Sequence, residues 1–336
     1  MRSMRRRRTA LATVVLAVAL AAPACSDGRD ALTVYSGRSS ELVGPLLERF
    51  AEERDIDIDV RYGETAQMAA TILEEGDNSP ADVFYAQDAG ALGALAAEGA
   101  AIELPDEILS LVPEAFRSPA GRWVGTSGRA RVLVYSPERV AEDELPNSVF
   151  DLTGPEWEGR VGWAPTNGSF QAFVTAMREI EGDARTREWL EAMQANGVEE
   201  YAANIPIVQA VDRGEIDVGL VNHYYAPKLR SEDPGLDARN HFMAGGDPGA
   251  LINVAGAAVI EGSDKREEAL EFVRFLLSEE AQEYFARDTF EYPLVDAVEP
   301  VDELPPLASV EHPEVDLSNL DDLRGTLDLL RDVGLL

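Results

Sequence analysis

Two adjacent tyrosines close the segment Asn222-His223-Tyr224-Tyr225, which follows an apolar run over residues 216–221. Successive side chains of a strand point to opposite faces, so the backbone must turn here if both phenols are to aim at one point. A phenolate is a hard anionic oxygen, and an ion such as Fe³⁺ lowers the phenol pKa from about 10 by its own field. Tyr135 ends another apolar run and is a third candidate; three phenolates would balance a trivalent charge. Taken alone, the Tyr224-Tyr225 pair also admits a packing role, one ring in the core and the other over the surface. His223 likewise admits the role of a hydrogen-bonded structural histidine.

Other polar residues fall just after runs that read as strands: Ser36, Gly37 and Arg38; Gln87 and Asp88; Ser136 after Tyr135; and Thr166, Asn167, Gly168 and Ser169. Ligands of open α/β sheets sit beyond the carboxyl ends of the strands, which makes these loops the candidate site. Asn167, Gly168 and Ser169 could offer donors to an anion at a helix start or simply cap the helix. Asp88 offers a hard oxygen, with helix capping as its alternative. Arg131 shares a strand face with Tyr135, where it could depress the phenol pKa or pair with a surface acid.

The elements that must carry these loops follow from periodicity. Residues 32–35 read as a strand, followed by a helix with Leu42, Leu46, Leu47 and Phe50 on one side. Ile56, Ile58, Val60 and Tyr62 alternate with Asp57, Asp59 and Arg61, a strand with one wetter face. A helix with Met68, Ile72 and Leu73, a short run over 81–85 and a helix over 89–98 complete a βαβα series. The series restarts with strands over 129–135, 161–164, 216–221 and 252–260 and helices over 265–277 and 279–285. Leu317, Leu320, Leu323, Leu327 and Leu330 make the stripe of one terminal helix, and the Pro- and acid-rich residues 299–313 read as an extended surface connection. The expected class is α/β, mostly parallel sheet with helices on both faces.

Composition narrows the chemistry. The chain has 336 residues, 45% hydrophobic and 27% charged, enough for real cores and about two domains. Lys+Arg 29 against Asp+Glu 62 gives a net charge of −33, which argues against nucleic-acid binding and against adhesion to anionic lipid. One Cys and 3 His exclude Cys-rich zinc modules, iron–sulfur clusters and an internal disulfide, so any metal chemistry must run on oxygen.

The first residues read as an address. Arg2 and Arg5 to Arg8 precede a small apolar run over 9–22, a signal-peptide pattern too short for a good membrane span. Cys25 follows Ala22-Pro23-Ala24, a segment that resembles the lipobox of bacterial lipoproteins. The expectation is a signal peptide over 1–24, a lipid anchor on Cys25 and a linker to residue 30. Removing 1–24 takes away five Arg and no acid, leaving 24 cationic against 62 acidic side chains, −38.

Five segments together resemble a known family. They are Val34-Tyr35-Ser36-Gly37-Arg38, Ser79-Pro80-Ala81-Asp82-Val83-Phe84-Tyr85, Arg129-Ala130-Arg131-Val132-Leu133-Val134-Tyr135, Pro165-Thr166-Asn167-Gly168-Ser169 and Asn222-His223-Tyr224-Tyr225. In order and spacing the chain is similar to the ferric-ion-binding proteins of bacterial ABC importers. That resemblance implies a two-lobed hinged fold of the type II periplasmic-binding-protein kind, each lobe a mixed, mostly parallel sheet flanked by helices. It places residues 31–130 and 253–300 in the first lobe and 131–252 and 301–336 in the second.

The resemblance further implies Fe³⁺ in the cleft on Tyr135, Tyr224 and Tyr225. Some relatives add a His in the first loop and a Glu in the second; this chain has Ser36-Gly37-Arg38-Ser39 and Gln87-Asp88 there. It looks like the subgroup that completes the sphere with carbonate or another small anion, with Arg38 as its bidentate partner. Ser36, Gly37, Gln87, Asp88, Asn167, Ser169 and Asn222 would line the cleft. The implied protein is no enzyme but a monomeric receptor, exported, periplasmic or lipid-anchored on the outer face of the cytoplasmic membrane, that delivers iron to an ABC permease.

Two rival readings remain at this level. The same fold could bind a polyamine, a thiamine-like cation or an oxyanion, the tyrosines stacking on it or hydrogen-bonding to it. A secreted hydrolase is disfavoured, since His223 is the only His in a promising loop and no Gly-x-Ser-x-Gly elbow accompanies it.

Overall fold

The computed structural model describes residues 31–336, so the expected signal peptide, the linker and the anchor at Cys25 lie outside the described residues. Leu32–Ser36 (β1) is buried at every position, as expected of a strand covered on both faces. It pairs in parallel with Ile58–Tyr62 (β2) and Val83–Ala86 (β3). Ser40–Arg54 (α1) and Thr65–Glu75 (α2) make the crossovers, and Ala89–Ala97 (α3) follows β3. β2 is the edge strand: Asp59 and Arg61 face water, which is why its sequence alternates while that of β1 does not.

After the short Asp106–Leu109 helix (α4), the 12-residue strand Val124–Tyr135 (β4) runs through both halves of the molecule. The second half holds the strands Val161–Trp163 (β5), Glu199–Glu200 (β6), Val218–Asn222 (β7) and Arg239–His241 (β8). Its helices are Gly168–Glu181 (α5), Asp183–Ala195 (α6), Asn204–Arg213 (α7) and Tyr225–Glu232 (α8). Ile252–Val259 (β9), Arg266–Leu276 (α9), Glu279–Arg287 (α10), Tyr292–Pro293 (β10) and Leu323–Asp332 (α11) complete the chain.

The strand order is β2-β1-β3-β9-β4-β7-β5-β6, with β8 and β10 also on β4. The pairs β1–β2, β1–β3, β5–β6 and β5–β7 are parallel, whereas β9 and β4 join the halves by antiparallel ladders. β4 changes partner within one residue: Ala130 still faces Ile252 of β9, and Arg131 faces Asn222 of β7. The ladder carries over the junction because Arg131 N donates to Leu251 O at 2.7 Å.

The second half is built on α5, whose Phe170, Phe173, Val174 and Met177 recur at helical spacing and are fully buried. Phe170 and Phe173 meet Trp163 and Trp189 edge-on, with centroids 5.3 and 5.7 Å apart. Such pairs add about 0.5–1.5 kcal/mol each beyond their burial.

Two expectations change in the structure. β4 begins five residues earlier than residue 129, because Val124 to Gly128 are mostly small and polar and carry no strand signal; the room there is tight, and a Cβ on Gly125 would lie 2.6 Å from Phe116 O. The leucine stripe is also not one helix. A short turn over Leu317–Asn319 precedes α11, and Asp322 starts the helix anew by accepting from Gly325 N at 2.9 Å.

The two pieces of that stripe pack apart. Ser318 and Leu320 lie on α3, so close that a Cβ on Gly93 would stand 2.1 Å from Ser318 O and one on Gly90 2.0 Å from Leu320 O. Leu329 and Leu330 of α11 join the cluster of Phe170 and Trp189 in the second half. The chain up to Leu320 therefore packs with the first half, and the part of 301–336 that covers the second half begins near Leu323. Among the described residues no helix is long and apolar enough to cross a membrane.

Candidate functional site

A cavity of about 310 Å³ opens where the carboxyl ends of both sets of parallel strands converge. Its second-half wall begins at β7. Asn222 ends the strand, Tyr224 has helical backbone angles and Tyr225 opens α8, so the turn that would aim both rings at one place is present. The two rings lie 4.4 Å apart at 36°, and Tyr224 Oη donates to Tyr225 Oη at 3.2 Å. Desolvation in the wall, aided by the neighbouring Tyr225, pushes the Tyr224 phenol above its ordinary pKa, while Arg129 opposes the rise.

His223 holds this turn. It is fully buried, its Nδ1 accepts Ala130 N–H at 3.0 Å, and its own N–H returns to Ala130 O at 3.0 Å. The imidazole thus binds the segment to β4 at the residue where the strand changes partner. Burial holds its pKa down to about 4, so the ring is neutral at pH 7, the structural role open to it from sequence.

Beside the tyrosines, Asn167 and Ser169 start α5 on the cavity wall. Asn167 Oδ1 accepts from Ser169 N at 3.0 Å and from Ser169 Oγ at 2.6 Å, and Asn204 braces both from behind at 3.2 Å. Both alternatives for this loop are met together, since it caps its helix and also turns a helix N-terminus to the cavity.

Two guanidiniums of β4 stand at the junction of the walls, Arg131 on the β7 side and Arg129 on the β9 side. Arg131 is 2% exposed; Nη2 donates to Leu220 O at 3.0 Å, Nε and Nη1 have no partner, and the group lies over Phe173 and Phe170 at 5.1 and 5.7 Å. Burial without a carboxylate lowers its pKa to about 9. Arg129 donates to Gln87 O, and its Nε makes no hydrogen bond but is ion-paired with Glu291 Oε1 at 3.9 Å. Two buried cations, each with a nitrogen that makes no hydrogen bond, beside two phenols suit an anion and a hard cation bound together.

The opposite wall is spent on itself. Thr65 Oγ1 donates to Gly37 O and accepts from Gln87 N, both at 3.3 Å, tying three loops into one. Asp88 caps α3 through Ala91 N at 3.3 Å, and desolvation raises its carboxyl above the usual range against the pull of Arg129.

Sequence and structure comparisons agree with this architecture. Residues 78–316 match the family described as bacterial extracellular solute-binding protein. The chain belongs to this family. It is 35% identical to the major ferric iron-binding protein of Neisseria meningitidis serogroup A over 98% of this chain and 99% of that one. The iron-bound HitA of Pseudomonas aeruginosa superimposes with a TM-score of 0.82 at 37% identity, covering 91% of this chain and 99% of the other. Trichodesmium IdiA (FutA), in complex with iron and citrate, follows at 0.79 and 28%, with 91% and 100% covered. The fold is the two-lobed type II periplasmic-binding-protein fold, and this member of the solute-binding family is not an enzyme.

Within this solute-binding frame, the residues expected from sequence divide. Tyr224, Tyr225, Gly37, Gln87, Asp88, Asn167, Ser169 and Asn222 all line the cavity. Tyr135 does not. It lies four residues beyond Arg131 on the same face of β4, about 13 Å away by strand rise, with Leu133 of the core between them. Its phenol meets Glu142, Arg239 and Asp237, and burial raises its pKa, so it is no third ligand.

Arg38 is also elsewhere. It is 1% exposed, its Nη2 2.7 Å from Glu291 Oε2 and its Nη1 donating to Ser127 Oγ at 3.0 Å beneath the cavity. Burial would raise the Glu291 carboxyl, but Arg38 and then Arg129 hold it below the usual range. Ser36 serves the same loop, its hydroxyl donating to Arg38 O at 2.9 Å.

Polar wall residues that escaped the candidate set include Glu64, Thr65, Arg129, Arg131 and Asn253. Arg129 stood out only as a charge inside an apolar strand, and Arg131 was read as a partner of Tyr135 or of a surface acid, not as a wall of the cavity. Asn253 similarly interrupts the apolar run of β9, and its Oδ1 accepts from Val254 N at 2.8 Å and Ala89 N at 3.3 Å. Thr65 carried no signal beyond a place near a helix start.

Proposed function

We propose that this chain captures ferric ion on the phenolates of Tyr224 and Tyr225 and completes the metal sphere with an oxyanion. The observation that carries the reading is the pair of phenol oxygens 3.2 Å apart on a cavity wall, beside two guanidiniums that each keep a nitrogen without a hydrogen bond. The ligands in the solved structures of similar proteins, iron in one and iron with citrate in another, support it. Two phenolates offset only part of a trivalent charge, and the two cations of β4 add to what remains. Arg131, with the N-terminus of α5, is the seat for the anion in place of Arg38. Carbonate or a small carboxylate would fit a cavity of this size.

In this reading the two lobes close on the ion, since each contributes a wall and the closed state gains contacts the open one lacks. The monomer is exported, held by a lipid on Cys25 to the outer face of the cytoplasmic membrane, and releases iron to an ABC permease. The test is spectroscopic: ferric-loaded protein develops a phenolate-to-iron charge-transfer band in the visible, lost in Tyr224→Phe and Tyr225→Phe. A colourless protein that takes up no iron overturns the reading. Mass spectrometry of the mature N-terminus tests the lipid.

A second reading is favoured by the same guanidiniums, namely an oxyanion bound without metal. Calorimetry with carbonate or citrate, with and without Fe³⁺, separates the two, because anion binding in the first reading requires iron.

A further inference from the structure

We infer that Glu64 is the ligand the first lobe contributes to the bound ion. The inference rests on the ferric reading above and adds a residue to it. With Tyr135 and Arg38 removed from the site, the second wall offers the ion two phenolates and no carboxylate, which leaves further anionic oxygen to the first wall or to exogenous anions. Only two carboxylates line the cavity, those of Asp88 and Glu64. Asp88 is committed to the N-terminus of α3 and is half-buried.

Glu64 is free. Its carboxylate has no hydrogen bond or ion pair among the described residues, and it is exposed at the cavity rim. The residue stands immediately before α2, yet its side chain makes no cap bond there, so the helix does not account for its position. Its backbone is well anchored: Glu64 O accepts from Met68 N at 2.9 Å, and the next residue, Thr65, is the one that ties Gly37 to Gln87. An unpaired carboxylate on a fixed post, on the wall facing Tyr224 and Tyr225, provides a hard anionic oxygen for the second side of the ion when the lobes close. A first wall that otherwise offers backbone and amide groups thereby acquires one charge-bearing donor.

The experiment uses the mature chain loaded with Fe³⁺ and carbonate, and compares wild type with Glu64→Gln and Glu64→Asp. Because the side chain is exposed and unpaired, both variants keep the wild-type melting temperature before iron is added. In Glu64→Gln the charge-transfer maximum moves, since one donor to the metal has changed, and iron passes to a competing chelator at least about tenfold faster. Glu64→Asp recovers part of both effects. The inference is overturned if the Gln variant superimposes on wild type, or if release quickens while the band stays in place, which would make Glu64 an electrostatic latch and not a ligand. A wild type with no band fails the ferric reading itself, an outcome distinct from either.

Discussion

The two walls of the cavity are made of the same kinds of polar residue and use them differently. On the second wall the polar atoms are left over: Arg131 keeps two unpaired nitrogens, and the Tyr224 and Tyr225 hydroxyls have only each other. On the first, Thr65, Gln87 and Asp88 satisfy one another and the start of α3. Buried polar groups without partners are costly to fold, so their concentration on one wall marks where a ligand is expected to supply the missing bonds. The second wall is built to bind, and the first mainly covers it, with the unpaired carboxylate of Glu64 as its one exception.

The largest effect that would break this contrast is that of pH. Desolvation raises the Tyr224 phenol further above the neutral range, so iron can bind its oxygen only by displacing the proton. Apparent affinity then falls as pH falls, by about 100-fold per unit if two protons leave, measurable by chelator competition from pH 8 to 6. A slope of zero would mean that the phenols are not ligands.

Next come the single substitutions Tyr224→Phe and Tyr225→Phe. Each removes an anionic donor and should weaken iron binding by more than the roughly 10–100-fold typical of outer-shell partners. Thr65→Ala on the covering wall should cost less than tenfold by the same titration.

Arg131→Met separates function from folding. The guanidinium is buried with no carboxylate beside it, and a methionine there should raise the stability of the free protein by about 1 kcal/mol while lowering affinity for the ion and its anion. Urea unfolding and metal titration on one sample decide both halves of that expectation.

The smallest effect on binding is expected from Gly93→Ala. The new methyl would meet Ser318 O, so stability should drop by about 1–3 kcal/mol with iron affinity unchanged. A neutral result would show that residues 317–320 do not depend on α3 for their place.

Much of the site was legible because it lies where strands end. Asn222 to Tyr225, Asn167 to Ser169, and Gln87 to Asp88 each follow an apolar run, and such loops face a ligand by topology alone. Tyr135 failed for a reason visible in the same terms. It shares the face of Arg131, as period two requires, but β4 runs antiparallel to β7, so its end points away from the ends of the parallel strands. Arg38 failed because adjacency to the site in sequence left its direction open; Glu291, 253 residues away, draws it under the floor.

The amino-acid order therefore determined the alternation of elements, the tyrosine turn and the strand-end loops, all of which depend on neighbours within a few residues. It carried the arginines of β4 as two charges in a buried strand, with Arg131 assigned to the wrong tyrosine. Which of those charges found a carboxylate, which tyrosine lay at the wrong end of its strand, and which half of the leucine stripe packed on α3 were decided by contacts between distant segments. Such contacts follow from desolvation and close approach in three dimensions, which no local pattern encodes.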